Sequence, residues 1–168
     1  RTPDDLFSVA SMGFRGEALA SISEVSNMVI RSRTEENDAG TLFEVNGGKR
    51  TSPEPTGCPV GTMVEVRNLF FNTPVRRKYL KTAQTEMGHI TEAFTRIALV
   101  YPHVHFSLKH NDRMKHDLPA VENWKDRIAH FYGRDLAEGL IWIESLDENV
   151  SITGYVADPS FFRSNTRM

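Results

Sequence analysis

The stretch Gly13-Phe14-Arg15-Gly16-Glu17-Ala18-Leu19 lies between two segments whose apolar spacing predicts short helices. Gly13 can take the left-handed conformation that ends a helix, and Gly16 is expected to open the next helix. N–H groups at a helix start lack intrahelical partners and bind anions readily, and the planar cation of Arg15 suits phosphate oxygens. The stretch therefore predicts a phosphate-binding loop. A plain helix-to-helix turn, with Gly13 as the cap and Phe14 in the core, is the alternative that the pattern leaves open.

A second informative stretch is Gly61-Thr-Met-Val-Glu-Val-Arg-Asn-Leu-Phe-Phe-Asn-Thr-Pro-Val-Arg-Arg-Lys78. Its first part alternates between two faces, with Met63, Glu65 and Arg67 on one of them, which predicts a strand. Pro74 stands where the first position of a helix is expected. The stretch therefore predicts a strand, a turn and a short basic helix.

This basic segment is the clearest charge feature of the chain. Five basic residues and no acidic residue occur between Arg67 and Lys81. Such a cluster can contact the phosphates of nucleic acid, with Arg76, Arg77, Lys78 and Lys81 as the candidate residues. A solvated helix face is the other interpretation of a charge run.

Together the two stretches closely resemble the MutL family of DNA mismatch-repair ATPases, whose signature heptapeptide is the Gly13–Leu19 sequence. The resemblance implies an α+β fold in two parts. Residues 1–100 are expected to form the C-terminal part of a GHKL-type ATPase α/β sandwich. Residues 101–168 are expected to form a unit like domain 2 of ribosomal protein S5. We expect this second unit to run β-β-α-β-β, with its helix at Trp124–Tyr132 and its last strand at Val150–Ala157.

The resemblance also implies a nucleotide site. Its glycine-rich signature gives backbone N–H groups to the triphosphate of ATP, so the implied phosphate-binding residues are Gly13, Phe14, Arg15, Gly16, Glu17, Ala18 and Leu19. Thr62 matches the threonine that supports an adenine-binding aspartate, although a strand-favouring residue at a sheet edge is the plainer interpretation. The Glu17 carboxylate would repel a triphosphate, so we expect it to turn away and to cap the helix or pair with an arginine.

Several groups that the family uses for hydrolysis do not occur in this sequence. They are the glutamate that activates water, the asparagine that binds Mg²⁺, the adenine-binding aspartate and the lysine that reaches the γ-phosphate. No catalytic or metal-binding residue is therefore assigned to this chain, and the six histidines have no spacing typical of a metal site. We expect the parent protein to be an ATPase and this chain alone not to be a competent one.

The function that the resemblance implies is that of a mismatch-repair factor. It would dimerise through its N-terminal regions on loading ATP, bind DNA without sequence preference, and couple a mismatch-recognition protein of the MutS type to strand incision. A non-enzymatic nucleic-acid-binding module with a structural glycine loop is the main alternative. Another GHKL ATPase, such as a topoisomerase subunit, fits the motifs less well.

Composition agrees with a globular protein. The chain has 168 residues, a net charge of −2 and one cysteine, Cys58, which favours a reducing compartment. We expect a cytoplasmic protein with no membrane partner. Because the sequence opens on Thr2-Pro3, a helix-cap pattern, we also expect it to begin within a domain.

The remaining elements follow from local patterns. We expect a helix at 3–12, a helix at 17–23 that buries Leu19 and Ile22, strands at 26–34 and 41–45, and an amphipathic helix at 86–100. Asn46-Gly47-Gly48 has the chemistry of a hairpin turn, and the Pro- and Gly-rich residues 52–59 are expected to form a loop.

Overall fold

The computed structural model describes residues 16–147, 150–159 and 161. It divides into two compact units, residues 1–80 and 81–168, and each is described by itself. The expected helix at 3–12 and the residues Gly13, Phe14 and Arg15 lie outside the described residues.

Within its described residues, the first unit is a small antiparallel sheet with two short helices. Its elements are α1 (Ala18–Ser23), β1 (Asn27–Arg33), β2 (Gly40–Asn46), β3 (Lys49–Arg50), β4 (Glu54–Thr56), β5 (Gly61–Arg67) and α2 (Pro74–Arg77). The strand order is β3-β2-β1-β5, and β4 also pairs with β2.

The register of the sheet follows the alternation of the sequence. Met28 on β1 pairs with Val45 on β2 and with Val66 on β5, and Met28 and Val45 are both only 3% exposed. On the opposite face Arg31 forms an ion pair with Glu65 at 3.8 Å. The predicted two-faced strand at β5 is thus confirmed.

The turn after β2 fixes the sheet to α1. Gly47 and Gly48 both have positive φ, 54° and 84°, and a Cβ on Gly48 would lie within 2.3 Å of the Glu24 carboxylate. The N–H of Gly47 donates to the Ser26 carbonyl at 3.0 Å, and that of Gly48 donates to the Ser23 carbonyl at 3.1 Å. The hairpin is confirmed, and its glycines allow the turn to approach the end of α1.

Two expectations for this unit are wrong. Residues 52–59 are not wholly a loop, because Glu54–Thr56 pairs with Gly40–Leu42 as β4. Leu19 is 46% exposed rather than buried, because the described residues place no element against that face of α1.

In the part of it that the structure describes, the second unit has the expected β-β-α-β-β order and two further helices. Its elements are α3 (Ala83–Val100), β6 (Phe106–His110), β7 (Arg113–Leu118), α4 (Trp124–Tyr132), α5 (Arg134–Glu138), β8 (Leu140–Asp147) and β9 (Val150–Ala157). The strands form two antiparallel hairpins, β6-β7 and β8-β9. Helix α5 is not predicted by the sequence pattern; it follows Gly133, a residue with φ of 91°.

Helix α3 packs against strands of the second unit. Phe94 on α3 packs edge-on against Phe106 on β6 and stacks on His116 of β7, with ring centroids 6.1 and 5.7 Å apart. The division into two units rests on contacts within the chain. The domain boundary expected near Tyr101 is a separate matter and stays a prediction.

A buried arginine ties α4 to the segment before β6. Arg127 is fully buried, and its Nη2 donates to the carbonyl oxygens of Pro102 and Val104, both at 2.7 Å. Its Nε and Nη1 have no hydrogen-bond partner among the described residues, and the guanidinium lies 5.9 Å from the Phe106 ring centroid. Burial lowers the pKa of Arg127 below its usual value, because the charged form is poorly solvated there.

No helix among the described residues is long and apolar enough to cross a membrane.

Candidate functional site

The described part of the glycine-rich signature leads into α1. Gly16 has φ of 68°, and Glu17 holds the N-cap position of α1. The first intrahelical bond runs from the Ser21 N–H to the Glu17 carbonyl at 2.9 Å. The N–H groups that precede it on Ala18 and Leu19 have no acceptor in the helix by geometry.

The start of α1 is suited to binding a phosphate group. Gly16, Glu17, Ala18 and Leu19 are all exposed, so their backbone is accessible to a ligand. N–H groups at a helix start attract anions through their free hydrogens and the helix dipole. The four residues can therefore take part in a phosphate cradle. The helix expected at residues 17–23 spans Ala18–Ser23, with Glu17 as its N-cap.

The Glu17 side chain does not cap α1. It makes no hydrogen bond to the helix N-terminus, so the capping part of the expectation is wrong. The described residues give it no arginine partner either. The expected pairing of Glu17 with an arginine stays a prediction.

Thr62 lies at the start of β5, beside Ser32 on β1. The two hydroxyl oxygens are 2.8 Å apart, and Ser32 and Thr62 are directly opposite in the register. Thr62 shares a sheet face with Val64 and Val66, the face on which Met28 is buried. A hydroxyl that is hydrogen-bonded to a neighbouring side chain can orient a further polar group. The position of Thr62 in β5 is also consistent with a purely strand-forming role.

The basic cluster is divided between the two units. Arg76 and Arg77 form the last turn of α2, and Lys78 is its C-cap. All three are exposed, and neither arginine has an ion-pair partner within the described ranges. Lys81 belongs to the second unit, where its N–H donates to the Glu86 carboxylate at 2.7 Å.

The structure adds a row of asparagines that the sequence analysis did not single out. Asn68 Nδ2 donates to Asn27 Oδ1 at 2.9 Å, and Asn27 Nδ2 donates to Asn46 Oδ1 at 2.6 Å. A cavity of about 150 Å³ lies beside this row, lined by Asn27, Asn68, Leu69, Phe71 and Arg77. Arg77 alone of the basic cluster contributes to it.

The backbone at this cavity is held in an uncommon conformation. Asn68 and Phe70 have φ of 53° and 63°, which costs energy in residues that carry a Cβ. The Phe70 N–H donates to the Val25 carbonyl at 2.7 Å, and Asn72 Nδ2 donates to the Glu24 carbonyl at 2.8 Å. These bonds hold the strained turn against the end of α1.

Within the described ranges no cluster of three or more His, Cys, Asp or Glu residues is placed to hold a metal ion. The Mg²⁺ that the resemblance implies stays a prediction.

Comparison with known proteins finds close relatives among DNA mismatch repair proteins. The chain is 44% identical over 162 residues to the DNA mismatch repair protein MutL of Halothermothrix orenii, a match that covers 96% of this chain and 25% of the relative. It is 43% identical over 163 residues to the protein of the same name from Bacteroides fragilis, covering 97% of this chain and 26% of the relative. The chain thus spans about a quarter of the length of these curated relatives. No family model matches the chain.

Solved structures agree with these sequence matches. The Aquifex aeolicus MutL ATPase domain complexed with ADP is similar with a TM-score of 0.69 and 36% identity, over 86% of this chain and 56% of that one. The N-terminal domain of a DNA repair protein has a TM-score of 0.71 at 22% identity, covering 94% of this chain and 52% of that one, and this likeness shows the fold alone.

The α+β fold class is confirmed by the described elements together with these structural matches. Over the residues that it contains, the chain belongs to the MutL family of DNA mismatch repair proteins, in the region that corresponds to their ATPase domain.

Proposed function

We propose that the protein to which this chain belongs acts as a MutL-type mismatch-repair factor that binds and hydrolyses ATP. The observation that carries the proposal is the 36% identity to an ATPase domain of this family solved with ADP. ATP loading drives dimerisation through the N-terminal regions. The loaded homodimer then couples a mismatch-recognition protein of the MutS type to strand incision, in the cytoplasm and on DNA.

In this proposal the residues Gly13–Leu19 hold the phosphates. The exposed start of α1, with Gly16 at positive φ, supports the backbone part of the cradle. Arg15 supplies the fixed positive charge that neutralises phosphate oxygens. Thr62 supports adenine recognition through its hydroxyl, which Ser32 orients at 2.8 Å.

Hydrolysis needs more than this chain supplies. A bound Mg²⁺ neutralises charge on the phosphate oxygens when it is present. The residues proposed here for ATP binding do not include its ligands. This chain binds and orients the phosphates, while the base, the metal ligand and the adenine-binding aspartate must come from elsewhere. We therefore expect the isolated chain to show no ATP turnover above background.

DNA is the proposed macromolecular partner. The exposed Arg76, Arg77 and Lys78 have no acidic partner in the described ranges, which supports contact with backbone phosphates, and Lys81 extends the basic sequence. Binding of this kind is electrostatic and independent of base sequence. The same residues support the alternative, a nucleic-acid-binding module that does not use nucleotide.

One pair of measurements separates the two functions. We measure the mass of the protein in solution, with and without a non-hydrolysable ATP analogue, and its affinity for duplex DNA at several salt concentrations. Dimerisation that requires the analogue supports the repair ATPase. Salt-sensitive DNA binding that is indifferent to the analogue, with no dimer, supports the binding module instead.

A further inference from the structure

An open cavity of about 710 Å³ lies within the second unit, between α3, the β6-β7 hairpin and α4. None of the residues proposed for ATP or DNA lines it. Its floor is largely apolar, with Met87 from α3 and the rings of Phe131 and Tyr132 from α4. Its basic groups are His110, Lys115 and His116, all from the hairpin.

Gly88 keeps the α3 side of this cavity open. It lies in the second turn of an 18-residue helix, where glycine is less favourable than alanine. Its φ is not in the left-handed region, and a Cβ there would meet no atom within 4 Å. Neither backbone conformation nor packing among the described residues therefore requires glycine, and its effect on the surface is to leave a concavity.

A β-bulge directs two consecutive basic residues into the cavity. Leu108 pairs with His116 and Lys109 pairs with Met114, so Lys115 is an extra residue in β7. Consecutive residues of a regular strand point to opposite faces. Lys115 and His116 both line the cavity because the bulge changes the direction of the side chains, as bulges beside binding sites commonly do.

Two aromatic rings contact His116, and the Glu92 carboxylate in the cavity wall already has a partner. The His116 ring lies between Phe94 and Phe131, with centroids 5.7 and 5.6 Å away. Among the described residues that line the cavity, Glu92 alone carries a carboxylate, and it already forms an ion pair with Arg96 at 2.6 Å. An anion at Lys115 thus meets no unpaired carboxylate in the cavity wall.

We propose that this cavity binds a small organic phosphate with a flat ring, of the nucleoside monophosphate class. The apolar floor and the aromatic side chains of α4 contact the ring, and Lys115, His110 and His116 bind the phosphate. A ligand with a flat ring and a phosphate matches a cavity that is apolar on its floor and basic on its hairpin side. A free anion or a neutral ring would use only one of these two parts. This site is separate from the proposed ATP site and does not depend on it.

Calorimetry on the whole chain tests the proposal with three probes, namely adenosine monophosphate, adenosine and inorganic phosphate. We expect the monophosphate to bind more tightly than either of its parts. Lys115→Ala should weaken its binding by at least about fivefold, as loss of a charge-assisted hydrogen bond does. Lys109→Ala removes an exposed lysine of the same hairpin that does not line the cavity, and it should leave the affinity unchanged.

Gly88→Leu provides a second variant that fills the cavity without removing a charge. It should abolish binding while the melting temperature of the chain stays the same or rises. Equal weakening by the two lysine substitutions would overturn the proposal, as would unchanged affinity in both Lys115→Ala and Gly88→Leu. Absence of monophosphate binding by the unmodified chain overturns it as well, whatever the outcome for ATP.

Discussion

The hydroxyl oxygens of Ser32 and Thr62 lie 2.8 Å apart on the paired strands β1 and β5. If Thr62 supports adenine recognition, its hydroxyl matters more for nucleotide affinity than for stability. We expect Thr62→Val to weaken binding of an ATP analogue by about tenfold, the size of one well-made hydrogen bond to a polar group. Calorimetry measures the affinity, and thermal melting is expected to shift little.

The matched control for Thr62→Val is Thr41→Val, which changes another exposed strand threonine of the same sheet. It should leave nucleotide affinity unaltered. Equal effects of the two substitutions would show that Thr62 acts only as a strand residue.

Gly16 is expected to be required for its backbone conformation rather than for space. Its φ is 68°, and a Cβ there would meet nothing within 4 Å. Gly16→Ala should lower the free energy of unfolding by about 1–2 kcal/mol, the cost of left-handed geometry with a Cβ. Urea denaturation of the chain measures this difference.

Gly57→Ala is the control, because Gly57 has equally open surroundings and no positive φ. It should be neutral or slightly stabilising, since alanine restricts the unfolded chain. A Gly16→Ala variant as stable as Gly57→Ala would contradict the proposed role of the turn before α1.

Arg127 is expected to be the most sensitive charged residue of the second unit. Its Nη2 donates to Pro102 and Val104 from a fully buried position. Arg127→Ala leaves a cavity and removes both hydrogen bonds, so we expect a loss of about 2–4 kcal/mol. Arg134→Ala, at an exposed arginine of α5, should stay within about 0.5 kcal/mol of the parent. A loss below about 1 kcal/mol for Arg127→Ala would rule out a structural role.

The basic end of α2 should control the salt dependence of DNA binding. Removing one phosphate contact lowers the slope of log affinity against log salt by about 1. We expect Arg77→Ala to lower this slope in titrations with duplex DNA. It should weaken binding to duplexes of different sequence by the same factor. Arg50→Ala, an exposed arginine on β3, is the control. Identical slopes for the parent, Arg77→Ala and Arg50→Ala would show that α2 makes no phosphate contact and is simply a solvent-exposed helix.

The sequence predicts those elements whose periodicity is strong and local. The alternation around Met28 and Met63 places β1 and β5 within two residues of their observed bounds, and the pattern at Trp124–Tyr132 gives α4 with its observed bounds. By contrast, β4 contains Pro55 and is only three residues long, and it exists because β2 offers a free edge. Helix α5 has five residues beside two glycines, too few for an apolar period to emerge.

The candidate sites divide in the same way. A contiguous motif such as Gly13–Leu19 can be recognised in one pass along the chain. The Asn68–Asn27 hydrogen bond joins residues 41 positions apart, and Lys115 and His116 share a cavity only because of a bulge in β7. Both features arise from strand register, which no local pattern contains.

Affinity for a non-hydrolysable ATP analogue is a direct test of the claim that the Gly13–Leu19 segment holds the phosphates of ATP. Because this chain covers 56% of the Aquifex aeolicus MutL ATPase domain chain, the measurement uses a polypeptide that joins this chain to the remaining parts of that domain. Calorimetry should show saturable binding that Arg15→Ala and Gly16→Val each weaken by about tenfold or more. Unchanged affinity in both variants, with binding intact in the parent polypeptide, would contradict the claim.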